Sequence, residues 1–521
     1  MRESAPRQVR QNLSIGPGVA RAISICLFLV LVLHAAGVGM DGVAAIRFPL
    51  ELDYGEGIVW QQARLIPGPT MYSRGQDLPF IVFHYPPVYY LVTRLVASFL
   101  PDMRAAGRFV SELSTLLTAG VAGALVYVSG RRAVGGLDRT VLFYAVVTSL
   151  LLLSMHAVRY WGVLMRVDML AIVLGETGLL IGILARGRQP GTTIALLFCT
   201  AAVFTKQIVL APGIAIFVVA MMRNPRAALG AAAVAGGLGL IALAYLQIDT
   251  AGGFLLNIVT YNINRTSLSH GLDVIFWQER DSLIFVVPLM VAFVVIVRPL
   301  AVSLRDGLRE GGLARARQAL CLENPTAYAV TVLAVYFCLS STMLLSIFKS
   351  GSTVNYMLEW FFSGVVLLGI LLCRLAAGGS ATRPHLALAS FMLFLGVVLQ
   401  PLRALPDTVP EEFVSAQRTL VRRIAEAEKP VASENMSLIV QAGKSVVFEP
   451  AIVTELARLG KWDEAPLVRM IRSGGFAFFL TTDNEPGGTD RRSPAVDAAM
   501  RAAYPIVEPT AIGMWLHRPL P

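Results

Sequence analysis

Long apolar stretches separated by short polar breaks occupy most of this chain. A helix that crosses a bilayer needs about twenty consecutive, mostly apolar residues. The segments that meet or approach this length are 21–40, 105–129, 140–158, 168–185, 191–207, 208–222, 227–247, 282–298, 327–348, 357–374 and 385–403. The segment 86–101 is less apolar and contains Arg94, which predicts a helix lying in the membrane interface. The pattern predicts an α-helical polytopic membrane protein with about eleven transmembrane helices.

The composition agrees with this class. Of the 521 residues, 55% are hydrophobic and only 15% are charged, and the mean hydropathy is +0.64. A soluble protein carries about 25% charged residues. The net charge of +10 comes from Arg and Lys in the polar breaks. These residues indicate which side of the membrane each break faces, and they do not indicate a nucleic-acid partner. The five cysteines include no CxxC pair, which favours core residues over metal ligands or disulfides.

Positive charge predicts which breaks face the cytoplasm, because Arg and Lys are enriched on that side. The Arg-rich breaks are the N-terminus, 131–139, 186–188, 223–226, 298–317 and 374–383. The opposite, outward face then contains 41–104, 159–168, Lys206, 249–281, 349–356 and the C-terminal tail. If 86–101 crossed the bilayer, several Arg clusters would move outside, so the eleven-span arrangement is preferred.

From about residue 405 the pattern changes. Polar helical stretches alternate with short β-type runs at 429–433, 445–448, 476–480 and 512–516, which predicts a small α/β domain. We therefore predict a transmembrane domain over 1–404, whose outer loop 41–104 contains interfacial helices. An extracytoplasmic α/β domain follows over 405–521.

The outer loop contains the most informative cluster, Asp53 and Glu56, followed by His84, Tyr85 and a Pro-Pro pair. Carboxylates beside a membrane cost desolvation energy unless they have a use. A carboxylate can accept a proton from an attacking hydroxyl, whereas basic side chains can hold a phosphate and offset its charge. Other ionisable residues predicted on the same face are Arg159, Arg166, Asp168, Lys206, Arg265, Lys349 and Glu359. The combination favours a reaction with an anionic, lipid-borne reactant.

Several short motifs resemble those of GT-C membrane glycosyltransferases. They are Asp53-Tyr-Gly-Glu56, Tyr85-Pro-Pro-Val-Tyr-Tyr, Arg166-Val-Asp168-Met-Leu-Ala, Lys206-Gln207 and Asn355-Tyr356-Met-Leu-Glu359. The bacterial branch similar to protein O-mannosyltransferases and lipid A aminoarabinose transferases is the nearest match, over roughly residues 20–400. The resemblance implies a bundle of roughly eleven to thirteen spans, an extracytoplasmic active site, a sugar donor on polyprenyl phosphate and inversion at the anomeric centre.

The resemblance also implies roles for individual residues. Asp53 matches the acidic residue that acts as general base or orients the acceptor hydroxyl, although Glu56 stays open as the base because many members carry adjacent acidic residues. Lys206, with Arg166 or Lys349, is expected to hold the donor phosphate. The substrate pocket is expected to contain His84, Tyr85, Asp168, Asn355, Tyr356 and Glu359, with Glu56 helping to shape it.

Each of these residues also has a purely structural explanation. Asp53 and Glu56 could cap an interfacial helix, and His84 could be a packed residue, since a single His without companions is more often structural. Arg166 and Asp168 could form a local ion pair at the end of a span. Lys206 could extend its ammonium to the interface, and Tyr356 could be an interface anchor.

The sequence thus predicts an inverting glycosyltransferase that moves a hexosyl or pentosyl group from a polyprenyl-phosphate carrier to an extracytoplasmic glycan, lipid or protein acceptor. We expect the protein in the inner membrane of a bacterium, with its N-terminus in the cytoplasm and its C-terminal domain outside. Its expected role is in the glycosylation of the cell envelope. No GxxxxGK[ST] loop or Asp-x-Asp pair is present, and no cofactor or metal is expected. The alternatives are a transporter or flippase, disfavoured because the ionisable residues are placed at span ends, and a non-catalytic polysaccharide-assembly subunit.

Overall fold

The computed structural model describes residues 16–134, 138–322, 325–403, 405, 409–487 and 489–521. Within this part the chain is mainly helical, and its longest helices form one bundle. The α-helices are α1 (Pro17–Arg47), α2 (Tyr54–Leu65), α3 (Val88–Val96), α4 (Met103–Ala133), α5 (Asp138–Ser154), α6 (His156–Gly162), α7 (Asp168–Ala185), α8 (Gly191–Val203), α9 (Ala211–Arg223), α10 (Pro225–Asp249), α11 (Gly253–Ile258), α12 (Leu268–Asp273), α13 (Leu283–Arg317), α14 (Pro325–Met343), α15 (Leu358–Ala377), α16 (Arg383–Val398), α17 (Glu411–Glu426), α18 (Met436–Gln441), α19 (Pro450–Arg458), α20 (Ala465–Arg472) and α21 (Pro494–Ala503).

The predicted membrane bundle is confirmed. Among the described residues, seven helices are long and apolar enough to cross a bilayer, and α5 with α6 adds an eighth if this pair, bent by 70°, counts as one span. The shorter apolar helices α8, α9 and α16 lie on the remaining predicted segments. The number of helices that actually cross the bilayer stays a prediction.

Helix α3 occupies the segment predicted to lie in the interface. Its nine residues span only about 14 Å, about half of the hydrocarbon core, so it is too short to cross. Tyr89 and Tyr90 are buried, whereas Leu91, Leu95 and the following Phe99 are exposed. This division between a packed face and an exposed apolar face is what an interfacial helix requires.

The two predicted faces lie at opposite ends of α7. The helix has 18 residues, from Asp168 to Ala185, and is about 27 Å long, so Arg186 lies at the end opposite Asp168. At the Arg-rich end, the guanidinium of Arg317 donates to the carbonyl of Arg223 at 3.2 Å, which joins two of the predicted cytoplasmic breaks. The arginines of residues 1–15 lie outside the described part, and the orientation in the cell stays a prediction.

The C-terminal segment forms a four-stranded sheet in the order β1-β2-β4-β3. The strands are β1 (Ala432–Ser433), β2 (Phe479–Thr481), β3 (Ile506–Pro509) and β4 (Trp515–Arg518). β1 is parallel to β2, and β4 is antiparallel to both β2 and β3. The predicted sheet is confirmed, but one of its strands was missed, because β3 lies in a segment that gave no β-type signal. The predicted boundary near residue 405 stays a prediction, since residues 404 and 406–408 lie outside the described part.

The predicted strand at 445–448 was wrong, because this run pairs with the outer loop instead of the sheet. Phe448 forms an isolated parallel bridge with Phe80, and the amide of Phe80 donates to the carbonyl of Val447 at 2.8 Å. The Phe80 ring also stacks on Trp462 at 5.1 Å. The C-terminal segment is therefore attached to the loop that contains Asp53, and not only to the end of the last membrane helix.

Candidate active site

Asp53 caps the N-terminus of α2. Its Oδ1 accepts hydrogen bonds from the amide of Gly55 at 2.9 Å and from Nη1 of Arg166 at 3.1 Å. The guanidinium of Arg166 also lies 4.8 Å from the Trp161 ring centroid. The side chain of Asp53 remains 24% exposed, so its carboxylate can be reached from outside the fold. A carboxylate that can be reached from outside is placed to accept a proton.

Glu56 has different surroundings. Both oxygens accept from the buried guanidinium of Arg108, from Nε at 2.8 Å and from Nη2 at 2.6 Å. The amides of Met165 and Leu52 each donate to one oxygen at 2.8 Å. A carboxylate has about four lone-pair positions, and all of them are used here. This geometry favours Asp53 over Glu56 as the proton acceptor and makes Glu56 the centre of a buried structural ion pair.

We expect Arg108→Met to destabilise the protein strongly. Glu56 would be left with an uncompensated charge at 1% exposure, which costs about 3–5 kcal/mol. Thermal unfolding in detergent measures the loss, and the double variant with Glu56→Gln should recover most of it. An unfolding temperature of Arg108→Met equal to that of the wild type would contradict this account of Glu56.

Gly55 allows Arg166 to approach Asp53. A Cβ atom at this position would lie 1.2 Å from Nη1 of Arg166. We therefore expect Gly55→Ala to displace the guanidinium and to lower activity by about 10²-fold, the size of effect that follows from misplacing a reacting group by about 1 Å. Gly120→Ala on α4 is the control, because a Cβ there meets nothing within 4 Å. Equal activity of the two variants would contradict the role of this contact.

A second cluster forms around Asp168, the first residue of α7. Its Oδ1 accepts hydrogen bonds from the ammonium of Lys206 and from Nδ2 of Asn355, the latter at 2.8 Å. The ammonium of Lys206 also lies 4.9 Å from the ring centroid of Tyr356. Oδ2 of Asp168 is buried without a hydrogen-bond partner. The fold thus brings together four residues that the sequence predicted in one site, from three distant parts of the chain: Asp168, Lys206, Asn355 and Tyr356.

Lys206 lies in the break between α8 and α9. Its neighbour Gln207 forms hydrogen bonds that hold the segment containing His84 and Tyr85. Nε2 of Gln207 donates to the carbonyls of His84 and Ile258, both at 2.9 Å. Nδ2 of Asn262 donates to the same His84 carbonyl at 2.8 Å. Although Gln207 was part of a recognised motif, it was not predicted as a site residue. It holds the His84-Tyr85 turn beside Lys206.

The remaining basic groups leave this region electropositive. Burial, and then the charges of Lys349 and Arg166, lower the pKa of His84 to about 3, so the imidazole is neutral at pH 7. Its Nε2 is buried without a partner. Burial, and then repulsion by Lys206 and Lys461, lower the pKa of Lys349 to about 8. Among the described residues, no hydrogen bond or ion pair to the Lys349 ammonium is found, so an anion bound here would meet an unneutralised cation.

Tyr85 and Glu359 lie at the edges of this cluster. The carbonyl of Tyr85 accepts from the hydroxyl of Tyr72 at 2.7 Å, and its ring centroid is 6.3 Å from that of His84. Glu359 lies one helical turn after Asn355, and its Oε1 is 3.5 Å from the hydroxyl of Tyr336. Both residues therefore adjoin the residues that hold Asp168 and Lys206.

Two residues predicted on the outward face do not join the site. Arg159 lies 3.5 Å from Asp41 and donates to the carbonyl of Leu402, so it ties α6 to α1 and to the end of α16. Arg265 pairs with Glu455 of the C-terminal segment at 3.3 Å. Within the described residues, no group of three or more His, Cys, Asp or Glu side chains is arranged to hold a metal ion.

An apolar groove of about 540 Å³ lies among three helices of the bundle. Its walls come mainly from α8, α9 and α10, with Phe204, Leu240 and Leu243 among its lining residues. Pro86 and Gln207 also line it, and they are the neighbours of Tyr85 and Lys206. The groove therefore shares a wall with the chain segments that carry Tyr85 and Lys206.

The class of protein that this architecture defines is a polytopic membrane protein with the GT-C fold, as the resemblance predicted. The chain is similar in structure to ArnT from Cupriavidus metallidurans in the apo state, with a TM-score of 0.54 and 14% identity over 93% of this chain and 97% of that chain. It is also similar to the same protein bound to undecaprenyl phosphate, with a TM-score of 0.52 and the same identity and coverage. No family model and no curated protein matches the sequence.

Proposed function

We propose that this protein is an inverting glycosyltransferase that moves a sugar from a polyprenyl-phosphate carrier to an acceptor hydroxyl. The observation that supports it best is the apolar groove, which is lined by Gln207, the chain neighbour of Lys206, together with the basic side chains of Lys206 and Lys349. A lipid phosphate needs both an apolar channel for its chain and cations for its head group. The similarity to ArnT, which was solved with undecaprenyl phosphate, also supports this class of donor.

The proposed reaction is a single displacement. Asp53 takes the proton of the acceptor hydroxyl, and the hydroxyl oxygen forms a bond to the anomeric carbon from the face opposite the phosphate. The bond between that carbon and the phosphate oxygen breaks, and its electron pair stays on the phosphate. Lys206 and Lys349 stabilise the charge that develops there. One displacement at one carbon inverts its configuration.

A substitution in the groove tests the donor assignment. Gly236 lines the groove, and a Cβ there meets no described atom within 4 Å, so the side chain of Gly236→Leu can begin without a clash and occupy groove space. We expect this variant to bind undecaprenyl phosphate at least about tenfold more weakly, because the added side chain occupies the space for the isoprenoid chain, and tenfold corresponds to about 1.4 kcal/mol.

The adjacent Gly237→Leu is the matched control. A Cβ on Gly237 is equally unobstructed, but this residue does not line the groove. Microscale thermophoresis in nanodiscs gives the dissociation constant for both variants. Equal affinity of Gly236→Leu, Gly237→Leu and the wild type would show that the lipid lies elsewhere and would remove the main support for a polyprenyl-phosphate donor.

A further inference from the structure

Two buried carboxyl groups and one phenol lie on the membrane side of the anion site. Glu176 in the middle of α7 and Tyr336 on α14 are both fully buried, and Glu359 on α15 is 8% exposed. The hydroxyl of Tyr336 donates to Oε1 of Glu176 and lies 3.5 Å from Oε1 of Glu359. We call these three residues the acid triad. Glu176 lies within the predicted span 168–185, whereas the ionisable residues were expected at span ends.

The triad lacks the cations that two buried carboxylates require. Among the described residues, neither Glu176 nor Glu359 forms an ion pair, and Oε2 of Glu176 has no hydrogen-bond partner at all. The ionisable groups that face the triad are Lys206 beside Glu359 and Cys199 beside both glutamates. Lys206 already pairs with Asp168. Burying two unpaired negative charges in a bilayer is so costly that such groups take up protons instead.

The bond pattern shows how a single extra proton can serve all three groups. Tyr336 has one hydroxyl proton, which it donates to one carboxylate, while its oxygen can accept from the other carboxyl group if that group is protonated. The extra proton can therefore sit on Glu176 or on Glu359, with the phenol reversing its donation. Glu359 is the member next to Lys206, and its Oε1 is the atom that lies near the Tyr336 hydroxyl.

We propose that the acid triad shares one proton and that the anion site binds the donor phosphate when this proton sits on Glu359. Asp168 already neutralises Lys206, so an ionised Glu359 would offset the positive charge of Lys349 and weaken the binding of a phosphate. The three members are positioning residues, since they act through Lys206. The inference rests on the proposed function, because it requires that a lipid phosphate binds beside Lys206.

Infrared spectroscopy of the ligand-free protein tests the first half of this proposal. The wild type should show the C=O stretch of a protonated carboxyl group at neutral pH, and Glu176→Gln or Glu359→Gln should reduce that band. Tyr336→Phe, which retains both carboxyl groups, should shift its frequency because the bridging hydroxyl is lost. A band that is unchanged in all three variants would mean that the triad holds no extra proton, and the proposal would be overturned.

The second half is tested by binding undecaprenyl phosphate across a pH range. Lys349 loses its own charge near pH 8, so the comparison is made in a Lys349→Met background. Above the pH at which the infrared band disappears, the dissociation constant should rise about tenfold per pH unit, as expected for the loss of one linked proton. Adding Glu359→Gln, which cannot ionise, should remove this pH dependence.

The outcomes separate the two claims. An affinity that is constant across the range in which the protein stays folded, or one with the same pH dependence after Glu359→Gln, overturns the role of the triad even if undecaprenyl phosphate binds. If undecaprenyl phosphate does not bind at any pH, the donor assignment and the triad's role in donor binding fail together. The infrared band then still decides whether the triad holds the proton.

Discussion

Replacing Asp53 by Asn is expected to lower the rate of sugar transfer by about 10²–10⁴-fold, the range that a general base contributes. The amide keeps the size of the side chain and one oxygen to accept from the Gly55 amide and Arg166, but it cannot take the acceptor proton. Affinity for undecaprenyl phosphate should change little, because the phosphate is assigned to Lys206 and Lys349. Initial rates of transfer and the dissociation constant of undecaprenyl phosphate, measured on the same preparation, separate the two effects.

Asp102→Asn is the matched control for this substitution. Asp102 also caps a helix, accepting from the Ala105 amide at 2.7 Å, and it also lies 3.3 Å from a guanidinium, that of Arg104. It therefore reproduces the capping and pairing of Asp53 without a place in the proposed site. A similar loss of activity in both variants would reduce Asp53 to a structural cap and would contradict its role as base.

Lys206→Met is expected to abolish measurable transfer and to destabilise the protein. Removing the ammonium leaves Asp168 buried without its cation, which costs about 3–5 kcal/mol, and it removes the charge that we propose for the leaving phosphate. The double variant Lys206→Met/Asp168→Asn should recover most of the lost stability, because no uncompensated charge remains. It should not recover transfer.

This difference between stability and activity identifies the role of Lys206. Thermal unfolding and transfer rates of the single and double variants give the comparison. Lys429→Met serves as a control for removing a lysine, since the Lys429 ammonium is exposed and donates only to the carbonyl of Gly474. If the double variant transferred sugar at the wild-type rate, Lys206 would be only the partner of Asp168, and the phosphate would have to bind elsewhere.

The sequence predicted the membrane bundle and much of the outer cluster because both leave strong local signals. Apolar runs of about twenty residues define the bundle, and a lysine between two such runs is costly unless it has a partner. Lys206 was therefore predicted to have a partner. In the structure its neighbours are Asp168, Asn355 and Tyr356. The roles of these residues stay predictions.

The pairing of individual charges could not be predicted, because it depends on how distant helices meet. Glu56 and Asp53 look equivalent in sequence, yet α4 directs Arg108 at only one of them. Arg108 and Glu176 lie inside predicted spans, and an ionisable residue inside an apolar run was the available signal for both. The isolated bridge between Phe80 and Phe448 likewise joins segments that no local pattern connects.

The rival functional classes make different demands on the same residues. A transporter would leave the donor chemically unchanged, and the position of Glu176 within a span is a feature that this class also uses. A non-catalytic assembly subunit would tolerate the loss of Asp53. The glycosyltransferase account alone requires a covalent bond in the donor to break.

The most direct test is therefore to incubate the purified protein in nanodiscs with a panel of polyprenyl-phosphate sugars and hydroxyl acceptors drawn from a cell-envelope extract. Release of free polyprenyl phosphate is followed for the wild type and for Asp53→Asn. The account predicts that at least one donor loses its sugar to an acceptor with the wild type and that the variant is at least about 10²-fold slower. Intact donors throughout the panel, or equal release by both proteins, would contradict it.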